Sequence, residues 1–257
     1  MLAIDGKTVR GARNRSDQTS VAPHLVAAFD HAAGVVLGQV CVAAKSNEIP
    51  AARTLLALFD LDGVVVTMDA LHTQIDTAAL ITAAGGDYVF TVKKNMPTLF
   101  DHHEMLPWPN IPATRSTTIG HGKRVTRTIR VATVPDWIDF PGAAQVAQVR
   151  RTVTKKGRKT VEVVYLITSA DHIAAPPEVL AGWIQGHWGI ENRLHWVRDV
   201  AFAEDLPQVR TGHAPRIMAT CRNLAIGLLR LAGWTNIAEG LRHHARHPDH
   251  AAALVLT

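Results

Sequence analysis

The chain has 257 residues, 47% of them apolar and 19% charged, an ordinary balance for a folded globular protein and far from the composition of disorder. That length suits one large domain burying roughly 70–75% of its unfolded surface, or two small ones, and one domain with an insertion fits better. No apolar run reaches the ~20 residues that cross a bilayer, and Asp5 and Lys7 stand where a signal peptide would place its apolar core, so the sequence reads as cytoplasmic, neither secreted nor membrane-spanning.

Lys and Arg outnumber Asp and Glu 27 to 22, a net +5 that leans mildly toward polyanionic partners. Leu2–Arg10, His24–Phe29 and Val35–Ala43 read as strands, with His31–Gly34 as the turn of an antiparallel meander. Ser46 or Asn47 can cap a helix running to about Phe59, with Ile49, Ala52, Leu56 and Phe59 on one side. Val64–Met68 is too short for a helix and apolar enough for a strand buried on both faces, and Asp69 stands where it emerges. Thr77–Ala84 predicts a helix stopped by Gly85-Gly86, Tyr88–Val92 a strand, and Met96–His103 a helix opened by Asn95.

Pro107, Pro109 and Pro112 end this alternation, and Val125–Val134, Ala144–Thr154 and Thr160–Thr168 make about 106–168 a β-rich insertion. After Pro176-Pro177, Leu180, Trp183, His187, Ile190, Leu194, Val197 and Ala201 recur at helical spacing, and Ile217, Cys221, Leu224, Leu228 and Leu231 do so in a second helix over Pro215–Leu231. Both stripes are expected to face the core. Cys41 and Cys221 form no ligand pattern and read as reduced core residues. The tail 233–257, with His243, His244, His247 and His250, presents no defensible metal-ligand geometry and reads as a solvated, partly frayed end.

The segment GHWGIENRLHWVRDVAFAED sets Glu191 among His187, His195 and Arg198. Together with strand-borne Asp5 and Asp69 it suggests three carboxylates around hard divalent cations, the arrangement that cleaves phosphodiesters. If their strands are neighbours, Asp5 and Asp69 come together and Glu191 approaches from a covering helix. A zinc hydrolase built on His187, Glu191 and His195 fits poorly, because the two histidines are eight residues apart, about 12 Å along a helix and too far for one ion.

The blocks IDGKTVRG, AKSNEIPAA, VVTMDALHTQ, YVFTVKKN, HGKR and HWGIENRLHWVRDVAFAED, in that order, resemble the H-repeat-associated insertion-sequence transposases, a branch of the DDE transposases, over roughly residues 2–232. The resemblance implies an α/β, RNase H-like mixed sheet flanked by helices, with the β-rich insertion preceding the helix that carries the catalytic Glu. It implies that Asp5, Asp69 and Glu191 bind two Mg²⁺ or Mn²⁺ ions, and that strand cleavage and transfer act on double-stranded DNA, both transposon ends and target. A homodimer and association with the bacterial nucleoid when bound to DNA go with that reading. Where many relatives carry Tyr, Arg and Lys around the Glu, this chain has Ile184, His187 and Arg198.

Phosphate contacts are expected from Lys93 and Lys94 beyond a strand end, from Lys123 and Arg124 in HGKR, from the basic hairpin 155–159, and from Arg198. His187 is read either as a buried, hydrogen-bonded histidine or as a further phosphate contact. Trp183, Trp188 and Trp196 could stack on splayed bases, but their helical spacing favours core packing. The family's separate N-terminal DNA-binding region has no counterpart before residue 2, which keeps open a second class of function: a catalytically inactive remnant that only binds DNA or a partner.

Overall fold

The computed structural model describes residues 1–13, 21–43, 46–120 and 122–256. Ala44 and Lys45 of AKSNEIPAA and His121 of HGKR lie outside the described residues. In chain order come β1 (Leu2–Thr8), β2 (His24–Asp30), β3 (Val35–Cys41), α1 (Glu48–Leu56), β4 (Val65–Met68), α2 (Ile75–Ala83), β5 (Asp87–Val92) and α3 (Pro97–Glu104). Four strands follow: β6 (Ala113–Gly120), β7 (Lys123–Thr133), β8 (Gln145–Lys155) and β9 (Arg158–Thr168). The helix α4 (Pro177–Ile190) leads through a π-helical turn, Glu191–His195, into α5 (Trp196–Val200). Helices α6 (Ala214–Leu231), α7 (Ile237–Arg246) and α8 (Pro248–Leu256) complete the chain. Among the described residues no helix is long and apolar enough to cross a membrane.

The chain forms two compact units, Met1–Phe59 with Gly186–Thr257, and Asp60–Gln185. In the first, β3, β2 and β1 make the expected antiparallel meander, and Asn47 caps α1 by accepting a hydrogen bond from the Ile49 amide at 3.0 Å. The core of this unit joins Phe29 of the meander to Ile190, Leu194 and Val197 of the long helical segment and to Ile226 and Leu229 of α6.

Three expectations fail in this unit. The Ile217, Leu224 and Leu231 stripe of α6 faces outward, while Ala219, Arg222, Asn223, Ile226 and Gly227 are buried. Besides Ile226 and Leu229, the inward face holds small residues that allow close packing and polar groups that find partners: Arg222 bonds Glu204 and Asn223 bonds Gln39. Cys221 shares the outward stripe and is an exposed thiol, not a core residue, and Cys41 is half-buried. The tail is not frayed: Asn236 caps α7 by accepting from the Glu239 amide, and Pro248 opens α8.

The second unit holds a mixed sheet, β4 parallel to β5, then β9, β8, β7 and β6 antiparallel. The β-rich stretch therefore continues a sheet through the β5–β9 pairing rather than forming a separate layer. Strand β6 is an addition to the expected three. It lies at the sheet edge with nearly every residue exposed, so it carries no apolar alternation that a sequence reading could detect. The KKGRK turn is a two-residue hairpin whose Lys156 and Gly157 both have positive φ, 47° and 76°, as a type I′ connection between β8 and β9 requires. Val89, Ile129, Ala147, Leu166 and Leu180 form a core within this unit.

Candidate active site

Two segments nearly 200 residues apart in sequence, as in the Gly11–Asp205 contact, clasp each other in the first unit. One is β1 with the short 3₁₀ turn after it, and the other is the stretch from Glu191 to Asp205. Lys7 Nζ lies 2.6 Å from Asp199 Oδ1, and the Gly11 amide donates to Asp205 Oδ1 at 3.1 Å. Gly11 is required there, since a Cβ would lie 2.6 Å from the Asp205 carbonyl oxygen.

At the start of this clasp, His195 Nδ1 is 3.5 Å from Asp5 Oδ2 and 3.5 Å from Glu191 Oε2. One potential ligand atom from each of the three residues lies within 4.8 Å of the others. The π turn helps to make this possible. Its wider winding allows two successive side chains to be buried, Leu194 in the core and His195 beside the carboxylates. Such π segments are rare and concentrate at functional sites.

The three groups differ in exposure: the His195 side chain is 6% exposed, Asp5 17% and Glu191 59%. The site therefore has a sheltered floor and one accessible carboxylate. Glu191 is held far below the ordinary carboxylate range, at about 2. Its hydrogen bond with His195 is the largest cause; burial opposes it, and the charge of His195, a hydrogen bond with Asp5 and the charge of Lys7 add to the lowering. A carboxylate so strongly ionised beside a second acid is a good hard-cation ligand. Two acids and an imidazole fit a divalent ion such as Mg²⁺ or Mn²⁺ through the oxygens, with His195 a softer donor at the edge.

Asp69 belongs to the second unit. It follows β4 and caps the 3₁₀ turn Ala70–His72, its Oδ1 accepting from the Leu71 amide at 3.0 Å. Its side chain is half exposed and its Oδ1 lies 4.0 Å from His72 Nε2. Lys93, Lys94, Lys123 and Arg124 are all exposed, and Lys94 Nζ stands 5.8 Å from the Phe100 ring. His187 is half-buried, near enough to His31 to affect its protonation.

Arg198 requires a correction. It is fully buried, with Nε and Nη2 bonded to Glu204 at 2.9 to 3.1 Å. A cation committed to a buried carboxylate is a structural residue and cannot serve as a surface phosphate contact. Trp183 packs against the second unit's core, but Trp188 and Trp196 are 57% and 58% exposed, contrary to a core role. No sequence pattern links His195 to Asp5. Its spacing of four residues from Glu191 was the available signal.

Residues 1–228 match the family model described as the transposase DDE domain. The chain is 38% identical over 246 residues to "Putative transposase YncI" of Escherichia coli O157:H7, covering 90% of this chain and 62% of that one. It is 36% identical over 244 residues to "H repeat-associated putative transposase YhhI" of Escherichia coli strain K12, covering 89% of this chain and 64% of that one. The chain thus spans somewhat less than two thirds of the length of these curated relatives. In architecture it is similar to the piggyBac transposase solved as a synaptic complex with hairpin DNA, with a TM-score of 0.53, 12% identity, and coverage of 94% of this chain and 50% of that one. That likeness gives the fold, RNase H-like α/β.

Proposed function

The chain belongs to the transposase DDE domain family, and from that premise we propose that it cuts DNA at insertion-sequence ends and joins the freed ends to target DNA. Mg²⁺ or Mn²⁺ is the cofactor in this reading. The observation that carries it is the meeting of Asp5 and Glu191, from the first strand and a late helix, around a shared buried histidine. Acids so far apart in sequence converge at an energetic disadvantage unless a positive group occupies the space between them.

Asp5 and Glu191 are the ligands that the first unit offers, and Asp69 is the third carboxylate, assigned by the VVTMDALH segment that carries it. Bound divalent cations supply Lewis acidity, activating the attacking oxygen and stabilising the departing one in phosphodiester cleavage and strand transfer. His195 keeps the two carboxylates at a fixed separation and orientation from the protected side. The open edge at Glu191 leaves room for a DNA strand.

Lys93, Lys94, Lys123 and Arg124 provide exposed charge for backbone phosphates, with His187 the least exposed of the proposed contacts. Contacts of this kind position a duplex without reading its sequence. Two copies of the chain, each holding one end, are the assembly that fits joining two ends.

The experiment uses purified protein, Mg²⁺ or Mn²⁺, and labelled duplex carrying the inverted repeats that flank the reading frame. The wild type nicks at the repeat boundary, whereas Glu191→Gln and Asp69→Asn bind the duplex equally and leave it intact. Equal nicking by the wild type and Glu191→Gln rejects the assigned site. Binding without nicking by the wild type leaves only a DNA-binding remnant.

A further inference from the structure

A second cluster of ligating side chains lies in the first unit, at the corner where α7 passes into α8. His243 stands in α7, His247 at its C-terminal cap and His250 in the first turn of α8. One ring nitrogen from each lies within 4.8 Å of the others. The three rings are mutually stacked, with centroids 4.5 Å apart for His243 and His247 and 5.1 Å apart for the other two pairs. We propose that His243, His247 and His250 form a site for a borderline transition-metal dication, Zn²⁺ in the first instance, that staples α8 to α7.

The hydrogen bonds fix which nitrogens are available. His247 Nδ1 is 2.9 Å from the His243 carbonyl oxygen. A carbonyl can only accept, so Nδ1 carries the proton and Nε2 presents its lone pair, the outer-sphere device that sets the tautomer of metal-bound histidines. His243 Nε2 and His250 Nδ1 face each other at 2.9 Å. Two nitrogens at that distance share one proton, and a cation bonded to both needs them only a few tenths of an ångström further apart, given Zn–N bonds of about 2.0–2.1 Å.

His247, at the cap, leaves the helical path with φ −131° and ψ 77°, so it is the α7–α8 corner, and not helical spacing, that brings the three rings together. Trp234 closes one side, its ring 5.2 Å from His243 and 5.9 Å from His244. Three imidazoles suit Zn²⁺, Ni²⁺ or Cu²⁺ and are a poor set for Mg²⁺, so this chemistry is distinct from that of the carboxylate site.

The corner also has need of such a staple. Helix α8 is nine residues long and buries none of them completely, with Leu254 packing against the core of the unit. A helix shorter than about 12–15 residues is marginal in water on its own. A cation shared between its first turn and the end of α7 would hold it in place with ligands instead of apolar surface.

The test uses the full chain without a histidine tag, stripped with a chelator and titrated calorimetrically with zinc chloride alone. One equivalent per chain is expected at this site. It survives Glu191→Gln, which removes a carboxylate of the other site, and is weakened more than about 100-fold in His250→Ala and in His247→Ala, since loss of even an outer-sphere partner weakens metal binding about 10–100-fold. Both side chains are exposed, and an unchanged far-ultraviolet spectrum confirms that the variants fold. Hydrogen exchange adds a second readout: zinc slows exchange in 248–256 of the wild type only. A flat titration, or binding that is lost in Glu191→Gln and retained in both histidine variants, overturns the proposal.

Discussion

Arg198 and Glu204 form an ion pair closed off from solvent on both sides, each side chain 0% exposed, with three guanidinium bonds of 2.9 to 3.1 Å. The Glu204 amide donates to the Arg198 carbonyl at 3.0 Å, so backbone and side chains close the same loop, and Arg222 adds a second cation 3.2 Å from Glu204 Oε1. Removing the carboxylate charge leaves two cations buried without compensation. Glu204→Gln is therefore expected to destabilise the protein by about 3–5 kcal/mol. Urea unfolding measures it, and a loss below about 1 kcal/mol would show that water reaches the pair.

His31 sets an acid limit on the first unit. Its folded pKa is lowered to about 4, first by burial, then by His187, the N-terminal amine and Arg193, with Asp30 opposing. Unfolded, it takes up its proton near 6.5. Between these two values the unfolded chain binds more protons, so this contribution is complete above about pH 6.5 and is lost as the pH falls toward 4. Thermal melts from pH 7.5 to 4.5 should show the decline, and His31→Asn should flatten it. A parallel decline in the variant would assign the effect to other groups.

Much of this architecture is legible in the sequence where apolar side chains alternate or run together. The meander of β1 to β3 and the parallel pair β4 and β5 follow from such patterns. The edge strand β6 does not, because a strand exposed on both faces needs no apolar residues. On α6 the pattern points the wrong way. Periodicity finds Ile217, Leu224 and Leu231, whereas the buried face sets Ile226 and Leu229 among Ala219, Gly227 and the paired Arg222 and Asn223. Arg198 illustrates the same limit, since a charge reads as exposed until its partner, six residues on, is known. The convergence of Asp5 and Glu191 was suggested by motif order, and no local propensity encodes it. His195 joins them through a π turn that no periodic reading anticipates.

The clasp between β1 and the Glu191–Asp205 stretch depends on the absence of a side chain at Gly11. An added Cβ would meet backbone, the Asp205 carbonyl oxygen at 2.6 Å and its carbon at 2.8 Å, and backbone yields less readily than a side-chain tip. Gly11→Ala should destabilise by about 1–3 kcal/mol, the usual range for overpacking. It should also weaken the hydrogen bond from the Gly11 amide to Asp205 Oδ1, which faster exchange of that amide would report. An unchanged denaturation midpoint would mean that residue 205 shifts freely and that the clasp rests on Lys7 and Asp199.

His195 offers the sharpest test of how the candidate site is held together. Its Nδ1 is equidistant from the two carboxylates, and its Nε2 is buried without a hydrogen-bond partner among the described residues, so the ring is placed by packing on one side and by the acids on the other. If it orients Asp5 and Glu191 for a cation, shortening or reshaping it should loosen that pair without touching the DNA contacts. His195→Gln is then expected to raise the Mg²⁺ concentration for half-maximal nicking roughly 10–100-fold, the scale on which supporting residues tune metal sites, while duplex affinity without metal stays the same. A merely structural histidine would lower the melting temperature and leave the Mg²⁺ requirement of the folded fraction where it was. Titrating Mg²⁺ at saturating duplex, with melting curves recorded on the same samples, separates the two. An unchanged half-maximal concentration in a well-folded variant would remove His195 from the site and leave the carboxylates to hold their geometry through β1 and the π turn alone.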